Sequence, residues 1–588
     1  MPTNTPAVWN VPHPRNLFFT GRTQVLDDLR QALMGKGKAA LSGMGGVGKT
    51  QTAVEYAYRH CGEYGTVLWA GADSEDSLKA GYAAIAAKLN LLEKDETNRD
   101  VVIAAVKRWL EEHAGWLLIL DNADDLGLVS DLLRSEWRGH ILLTTRAHAT
   151  GGVSKVEILK MTPEEGTLFL LRRAKVIGVD DALGTATEAD QELATEITWE
   201  VGGLPLALDQ AGAFIEEEQR SLAEYLELYR TEGAALRKMR GGIIADHEPV
   251  TITFSLAFRQ VAGANAAAAD MLRACAFLAP EAIPEEIFTS GAGELGENFT
   301  DMAGGGLGLV KMIGEAGRFS LIRRNARNGT IEIHRVVQQV LKDEMDAETQ
   351  RLWAERVVRA LNASFPEVEH RTWSLCEKLL AHAQEAAGLI GAYSFEFNEA
   401  ARLLDETGCY CLELAQYGEA EPLYVRSLSI YEKVLGPEHP DVAMSLSNLA
   451  ALYYYQGKYA EAEPLYVCAL SICEKALGPE HPTVAMSLNN LAMLYASQVK
   501  YAEAEPLHAR ALGIREKVLG PEHPDVAMSL SNLAALYYYQ GKYAEAEPLL
   551  VRALGIYEKT LEPEHPNLLL GQKNYTALLQ KMRNETEE

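Results

Sequence analysis

Apolar residues follow two rhythms along this chain. In its first part, short apolar runs at 38–42, 66–69, 116–120, 140–145 and 156–159 alternate with stretches of helical period. A run that is apolar on both alternating faces suits a strand covered by helices on either side, and strands that alternate with helices join as parallel neighbours. The pattern predicts a five-stranded parallel sheet in an α/β domain. In the last third the period is helical throughout. Leu449, Ala450 and Tyr453 share one helix face, and after a turn at Gln456, Gly457 and Lys458 the residues Ala462, Tyr466 and Ala469 recur at i, i+4 and i+7 on a second helix.

That helix pair is a repeated unit. The segment GPEHP or EPEHP ends at Pro440, Pro482, Pro524 and Pro566, each 42 residues after the one before. Adding the period carries the core pattern to Leu491, Ala492, Tyr495, Ala504, His508 and Ala511, then to Leu533, Ala534, Tyr537, Ala546, Leu550 and Ala553. Small alanines let paired helices approach while tyrosine and leucine fill the space between them. An earlier unit is degenerate, with Thr407, Gly408 and Cys411 at the core positions, and Asn574 and Tyr575 carry the register into a helix expected to cap the stack.

The α/β part carries phosphate chemistry. The run at 38–42 feeds directly into Gly43, Met44, Gly45, Gly46, Val47, Gly48, Lys49 and Thr50, a complete GxxxxGK[ST] loop followed by a helical stretch from Gln51 to His60. Glycines let backbone N–H groups curl around phosphates at a helix N-terminus, Lys49 supplies a point charge, and Thr50 offers a hydroxyl to Mg²⁺. The run at 116–120 ends in Asp121, a carboxylate at the C-terminal edge of the sheet, where a metal ion's water shell can be held. Arg146 leaves a strand on the same edge, within reach of a γ-phosphate; a surface salt bridge is its alternative role.

The order of these segments resembles the NB-ARC branch of the STAND ATPases. Phe18, Phe19, Thr20, Gly21 and Arg22 look like that family's N-terminal hhGR motif, which implies adenine contact by Phe19, Gly21 and Arg22. Gly43 to Thr50 match Walker A, with Gln51 next to them as a further nucleotide-binding residue, Leu118, Ile119, Leu120 and Asp121 match Walker B, and Leu143, Thr144, Thr145 and Arg146 match the sensor 1 strand. Gly203, Leu204, Pro205, Leu206 and Ala207 match the GLPL motif, which implies that Pro205 packs on the base. Ile333, His334 and Arg335 stand at the MHD motif, which implies a winged-helix domain whose His334 meets the β-phosphate of ADP. The resemblance therefore implies ATP or ADP with Mg²⁺ as ligand, with Lys49, Asp121 and Arg146 as the reactive set. Two departures stand out. Asn122 replaces the family's second acid, and an amide cannot act as a general base, so hydrolysis should be slow unless Asp124 or Asp125 substitutes. Arg335 replaces the MHD aspartate.

The C-terminal repeats resemble the tetratricopeptide repeat in the 42-residue form of kinesin light chains, over residues 400–583. In that family the first-helix face lines a concave groove. Asn448, Asn490 and Asn532, with Ser445, Ser487 and Ser529 one turn earlier, either hydrogen-bond a protein or peptide ligand there or are solvated helix residues retained by duplication. The expected organisation is an arm at 1–17, a nucleotide-binding domain at 18–155, a helical domain at 156–248, a winged-helix domain at 249–345, a helical linker at 346–400 and the repeat array at 401–588.

Composition narrows the partners. A formal charge of −27, from 82 acidic against 55 basic side chains, disfavours nucleic acid and anionic membranes. The chain has no basic segment leading into an apolar one and no apolar stretch of about 18 residues, so neither export nor membrane crossing is expected. Seven cysteines without a CxxC pair fit a reducing cytoplasm, and Cys409 with Cys411 lacks the partners of a metal site. Few residues precede the hhGR motif and no DNA-binding domain follows the repeats, so output is expected from self-assembly or from an effector acting in trans. The sequence thus points to a signalling switch, which the family resemblance extends to an immune-like defence role. A turnover ATPase and a scaffold with structurally bound nucleotide are the alternatives.

Overall fold

The computed structural model describes residues 6–96, 98–134, 137–147, 152–239, 248–299, 307–562 and 565–587. Pro563 and Glu564 of the last EPEHP segment lie outside them. The chain divides into two compact units, one of Met1–Pro366 with Arg371–Tyr393 and one of Glu367–His370 with Ser394–Glu588.

The first unit opens with a parallel sheet of β1 (Val8–Trp9), β2 (Lys38–Ser42), β3 (Thr66–Gly71), β4 (Trp116–Asp121), β5 (His140–Thr145) and β6 (Ser154–Glu157), in the order β1-β3-β4-β5-β2-β6. Six strands stand where the apolar pattern predicted five. The added β1 comes from the N-terminal arm and, at two residues, is too short to show as an apolar run. Its Trp9 ring packs 4.9 Å from that of Tyr58, and the Asn10 amide donates to the Trp69 carbonyl at 3.3 Å. β6 begins two residues before the apolar run at 156–159, because pairing with β2 rather than side-chain polarity sets its limits.

The sheet is buried on both faces, which is why its strands read as continuous apolar runs. Val67, Trp69, Leu117, Ile119 and Leu142 pack under helices Thr23–Lys36 and Lys49–Arg59. Their strand neighbours Leu68, Leu118, Leu120, Ile141 and Leu143 pack under helices Glu75–Lys88 and Arg99–Glu112.

Helices Pro163–Arg173, Glu188–Glu200, Pro205–Glu217 and Leu222–Met239 follow. Next comes a three-stranded antiparallel sheet, β7 (Ile283–Pro284), β8 (Ile322–Asn325) and β9 (Thr330–Ile333) in the order β7-β9-β8, accompanied by helices Ala266–Cys275, Leu307–Arg318 and Arg335–Glu344. The segment expected as a linker forms helices Ala347–Ser364 and Trp373–Ala392, which belong to the first unit. Trp353, Val357, Val358 and Leu361 on one and Leu379, Ala383 and Ala386 on the other are buried, so both helices are part of a core.

The second unit is a stack of helix pairs: Asn398–Glu413 with Tyr417–Leu435, Pro440–Tyr455 with Tyr459–Leu477, Pro482–Ser497 with Tyr501–Leu519, and Pro524–Tyr539 with Tyr543–Thr560, closed by Pro566–Glu587. The repeated EHP sequence is a helix start. His439, His481 and His523 cap through Nδ1, which accepts the N–H of Asp441, Thr483 and Asp525, and proline occupies the first helical position, where its missing N–H costs nothing. Thr407, Gly408 and Cys411 of the first pair are buried core residues. A Cβ at Gly408 would lie 2.9 Å from a Tyr424 ring carbon, so this ring sits closer to the first helix than an alanine there would allow without a shift.

Candidate functional site

The loop from Gly43 to Gly48 is shaped by three close constraints. A Cβ at Gly43 would lie 2.6 Å from the Ile158 carbonyl oxygen, while Gly46 at φ +74° and Gly48 at φ +92° hold backbone conformations that side chains disfavour. With Gly48 as a left-handed cap, the helix starts at Lys49 rather than Gln51. Its first-turn N–H groups, which have no intrahelical acceptors, therefore open onto the loop.

Lys49 Nζ donates to the carbonyls of Gly43 and Met44 at 2.8 and 3.0 Å, bridging both ends of the loop's first turn. Desolvation lowers its pKa, opposed by Asp124 and Asp121, while Arg146 adds to the lowering. An anion at the loop would relieve that stress.

Asp121 sits at the end of β4 and is buried. Thr50 Oγ1 donates to its two carboxylate oxygens at 3.0 and 3.1 Å, and the Thr144 hydroxyl donates to Oδ1. Burial raises the Asp121 pKa against the pull of Thr144, Thr50 and Lys49. Thr50 and Asp121 thus present adjacent hard oxygens, the donor type that holds Mg²⁺. Asn122 is left-handed at φ 59° and brings no carboxylate. Arg146 is tied to Asp124, its N–H and Nε donating at 2.5 and 2.6 Å. Burial alone would raise the Asp124 pKa, but these bonds to Arg146 outweigh it and hold the carboxylate below its ordinary range. Asp124 is therefore an anchor for Arg146 rather than a ready proton acceptor.

The hhGR residues reach the same loop. Arg22, left-handed at φ 62°, donates from Nη2 to the Val47 carbonyl at 3.0 Å, and its N–H donates to Glu165 Oε1 at 2.8 Å. Glu165 also closes the capping box of helix Pro163–Arg173, so one carboxylate fixes both segments. Gly21 lies against it: a Cβ there would be 2.2 Å from Glu165 Oε1. Phe19 packs against the β2-side core with the Arg59 guanidinium 5.8 Å from its ring. Arg22 Nη1 and Gln51 Oε1 are buried with no hydrogen-bond partner among the described residues. Buried orphans of this kind beside a glycine loop fit a polar ligand.

Two later segments cover the loop. Cβ atoms built on Gly48 and Gly46 would lie 3.8 Å from Pro205 Cγ and from Leu206 Cβ, and one on Gly45 would lie 3.8 Å from Val336 Cγ2. His334 and Arg335 immediately precede Val336. His334 Nδ1 accepts the Val336 N–H at 3.1 Å, which leaves the ring proton of the neutral form on Nε2. Arg335 donates to Asp73 at 2.5 Å, joining the segment after β9 to the loop after β3. Sequence reasoning gave Thr144 and Leu206 only as motif members and missed Glu165, Val336 and Asp73. Only Glu165 had a local signal, the Thr-x-x-Glu capping box. Glu281 was missed too: although its side chain is exposed, desolvation by its surroundings, then Asp121 and Asp73, raise its pKa.

In the repeat array the three asparagines differ. Asn448 Nδ2 donates to Asp405 Oδ2 at 2.8 Å, and Ser445 Oγ donates to Asp405 Oδ1 at 3.3 Å. Asn490 and Asn532 are half-buried and make no side-chain hydrogen bond among the described residues. Desolvation raises the Asp405 pKa to about 7, with Glu406 and Asp441 adding to it. A carboxyl raised on folding stabilises most below its unfolded pKa, and that contribution is lost as pH climbs to the folded value. Asp405→Asn is therefore expected to stabilise the chain increasingly between about pH 4 and pH 7 and evenly above. Thermal melts of both proteins across that range check this; a difference flat with pH would place the raised pKa elsewhere.

Comparison with known proteins follows the same division. Residues 22–170 match the NB-ARC domain, residues 260–350 a domain of unknown function (DUF7779), and residues 408–475, 441–517, 483–559 and 525–588 the tetratricopeptide repeat. A nucleotide-binding leucine-rich repeat (NLR)-like protein of Hyaloscypha variabilis is 29% identical over 480 residues, 75% of this chain and 46% of its own length. The chain thus spans about half the length of that curated relative. A STAND protein with a tetratricopeptide repeat sensor from Pyrococcus horikoshii aligns over 98% of this chain and 87% of its own, with 14% identity and a TM-score of 0.39. A Podosopora anserina kinesin light chain with nearly identical TPR-like repeats covers 33% of this chain and 98% of its own, with 28% identity and a TM-score of 0.28. Among the described residues no helix is long and apolar enough to cross a membrane.

Proposed function

The chain is an NB-ARC STAND NTPase with C-terminal tetratricopeptide repeats, and from that premise we propose that it works as an ATP/ADP-gated switch in which Mg²⁺-nucleotide occupancy controls the segment 333–336. The observation that supports this reading is the approach of Val336, which directly follows His334 and Arg335, to the phosphate loop: its Cγ2 lies 3.8 Å from where a Cβ on Gly45 would stand. When bound, nucleotide supplies a polyphosphate whose charge differs between ATP and ADP.

In this reading the loop N–H groups and Lys49 bind the phosphates, Thr50 and Asp121 hold Mg²⁺, and Arg22 and Pro205 border the base. His334 donates from Nε2 to the β-phosphate of ADP, and Arg335 with Asp73 latches the segment shut. A protein or peptide ligand at the repeats, with Asn490 and Asn532 able to contact it, shifts the equilibrium toward exchange. Moving it from 1:99 to 99:1 takes about 5.5 kcal/mol of differential binding, within reach of a many-contact groove. Self-association or an effector in trans carries the output, and an immune-like role in the cytoplasm extends the reading. Hydrolysis is slow, since Asn122 is no base and Asp124 is committed to Arg146.

The test is His334→Ala. A hydrogen bond to a charged group contributes about 1.5 to 3 kcal/mol, so ADP release should accelerate by roughly 10- to 100-fold while the melting temperature without nucleotide falls only by the modest cost of the lost helix cap. Stopped-flow exchange with a fluorescent ADP analogue reads this directly. Equal release rates would leave His334 an ordinary helix cap and remove the gate.

A further inference from the structure

Helix Glu188–Glu200 places Glu188, Glu192, Glu196 and Trp199 along one exposed side, with Trp199 in its last turn. Together with Thr195, Glu200 and Arg230 of helix Leu222–Met239, they line an open groove of about 610 Å³. Trp199 is 80% exposed, unusual for the largest apolar side chain, and it lies on a helix whose other face is buried through Ala194, Ile197 and Thr198. Structural packing therefore does not explain the tryptophan.

We propose that this groove is a docking surface for a basic amphipathic segment of another protein, an arginine or lysine side chain stacking on Trp199 while its ammonium or guanidinium pairs with the glutamates. Three observations select that chemistry. The groove carries four carboxylates against one cation. Arg230 already shows how they take a guanidinium, donating to Glu200 Oε1 at 2.9 Å from both Nε and Nη2 and to Glu196 Oε1 at 2.5 Å. Trp199 also lies at a helix C-terminus, whose dipole favours cations, and indole is the strongest side-chain partner for a cation over its face. Glu188 and Glu192, without such a partner in the groove, are the carboxylates open to the incoming segment. The surface is separate from the nucleotide site and stands whether or not that site gates a switch.

A synthetic peptide with leucine and lysine at helical spacing is the probe, titrated into the full chain by fluorescence anisotropy at low and raised salt. Binding should weaken about tenfold in Trp199→Ala and in Glu188→Gln/Glu192→Gln, and should fall with salt. The charge-matched variant Glu111→Gln/Glu112→Gln, two exposed carboxylates at the end of helix Arg99–Glu112, should bind as the parent does. An equal loss in that control would mean diffuse attraction to an acidic protein and would overturn the proposal, as would unchanged binding in Trp199→Ala. Tight binding of a leucine and glutamine peptide would overturn the cationic specificity. Self-association of the chain alone, abolished by Trp199→Ala, would assign the groove to a second copy instead.

Discussion

Lys49→Ala lowers affinity for ATP and ADP by roughly 10- to 100-fold, the effect of removing the cation that the phosphate loop carries on a flexible stem. The loop keeps its shape, because Gly43, Gly46 and Gly48 are fixed by backbone contacts and φ rather than by the lysine. What the lysine does hold, the carbonyls of Gly43 and Met44, can turn to water in the open cleft. Desolvation already strains the Lys49 charge, so the alanine variant should melt no lower than the parent without nucleotide and distinctly lower in its presence. Isothermal titration of both nucleotides and the nucleotide content of the purified variant check this. Unchanged content would dismiss the loop as a phosphate site.

The phosphate loop was legible because its chemistry is local: strand, glycines, lysine and helix follow one another within a few residues, and the structure changes only where the helix begins. The repeat units were equally plain, since a period of 42 survives any uncertainty about helix ends. Nothing comparable announced β1, whose two residues gain strand geometry from β3 and from the Trp9–Tyr58 contact. The helices at 347–392 were read as a connector because an amphipathic helix shows which face is apolar but not what covers it. Asn448 shows the same limit at one residue. Its position matches Asn490 and Asn532, yet it donates to Asp405, which stands 42 residues before Ser447 and is absent from the later units. Pairings such as Arg335 with Asp73 and Arg22 with Glu165 span 262 and 143 residues and depend wholly on the fold.

Asp121 is where the demands of folding and of the proposed chemistry oppose each other, and Asp121→Asn separates them. The carboxylate is fully enclosed, and burial pushes its pKa up even though Thr144, Thr50, Lys49 and the Asn122 backbone all favour the charged form. A folded-state pKa above the unfolded one means that the group's stabilising contribution is complete below the unfolded value and is lost as pH rises through the folded value. As pH rises above the unfolded value the parent therefore loses stability that asparagine, which does not titrate, keeps. Asparagine keeps the shape, its oxygen can still accept from one threonine, and the hydroxyl of the other can rotate to accept from the new amide. The ligand-free variant should therefore melt higher than the parent at pH 8, with the gap closing toward pH 4. With Mg²⁺ and ATP the order should reverse. An amide oxygen lacks the formal charge that holds a hard cation, so the variant loses the ligand-linked stabilisation that the parent gains. Melting curves at two pH values, with and without Mg²⁺ and nucleotide, contain the whole test: a variant that melts lower without ligand, or that keeps the Mg²⁺-dependent rise, would show that Asp121 serves the fold and not the metal.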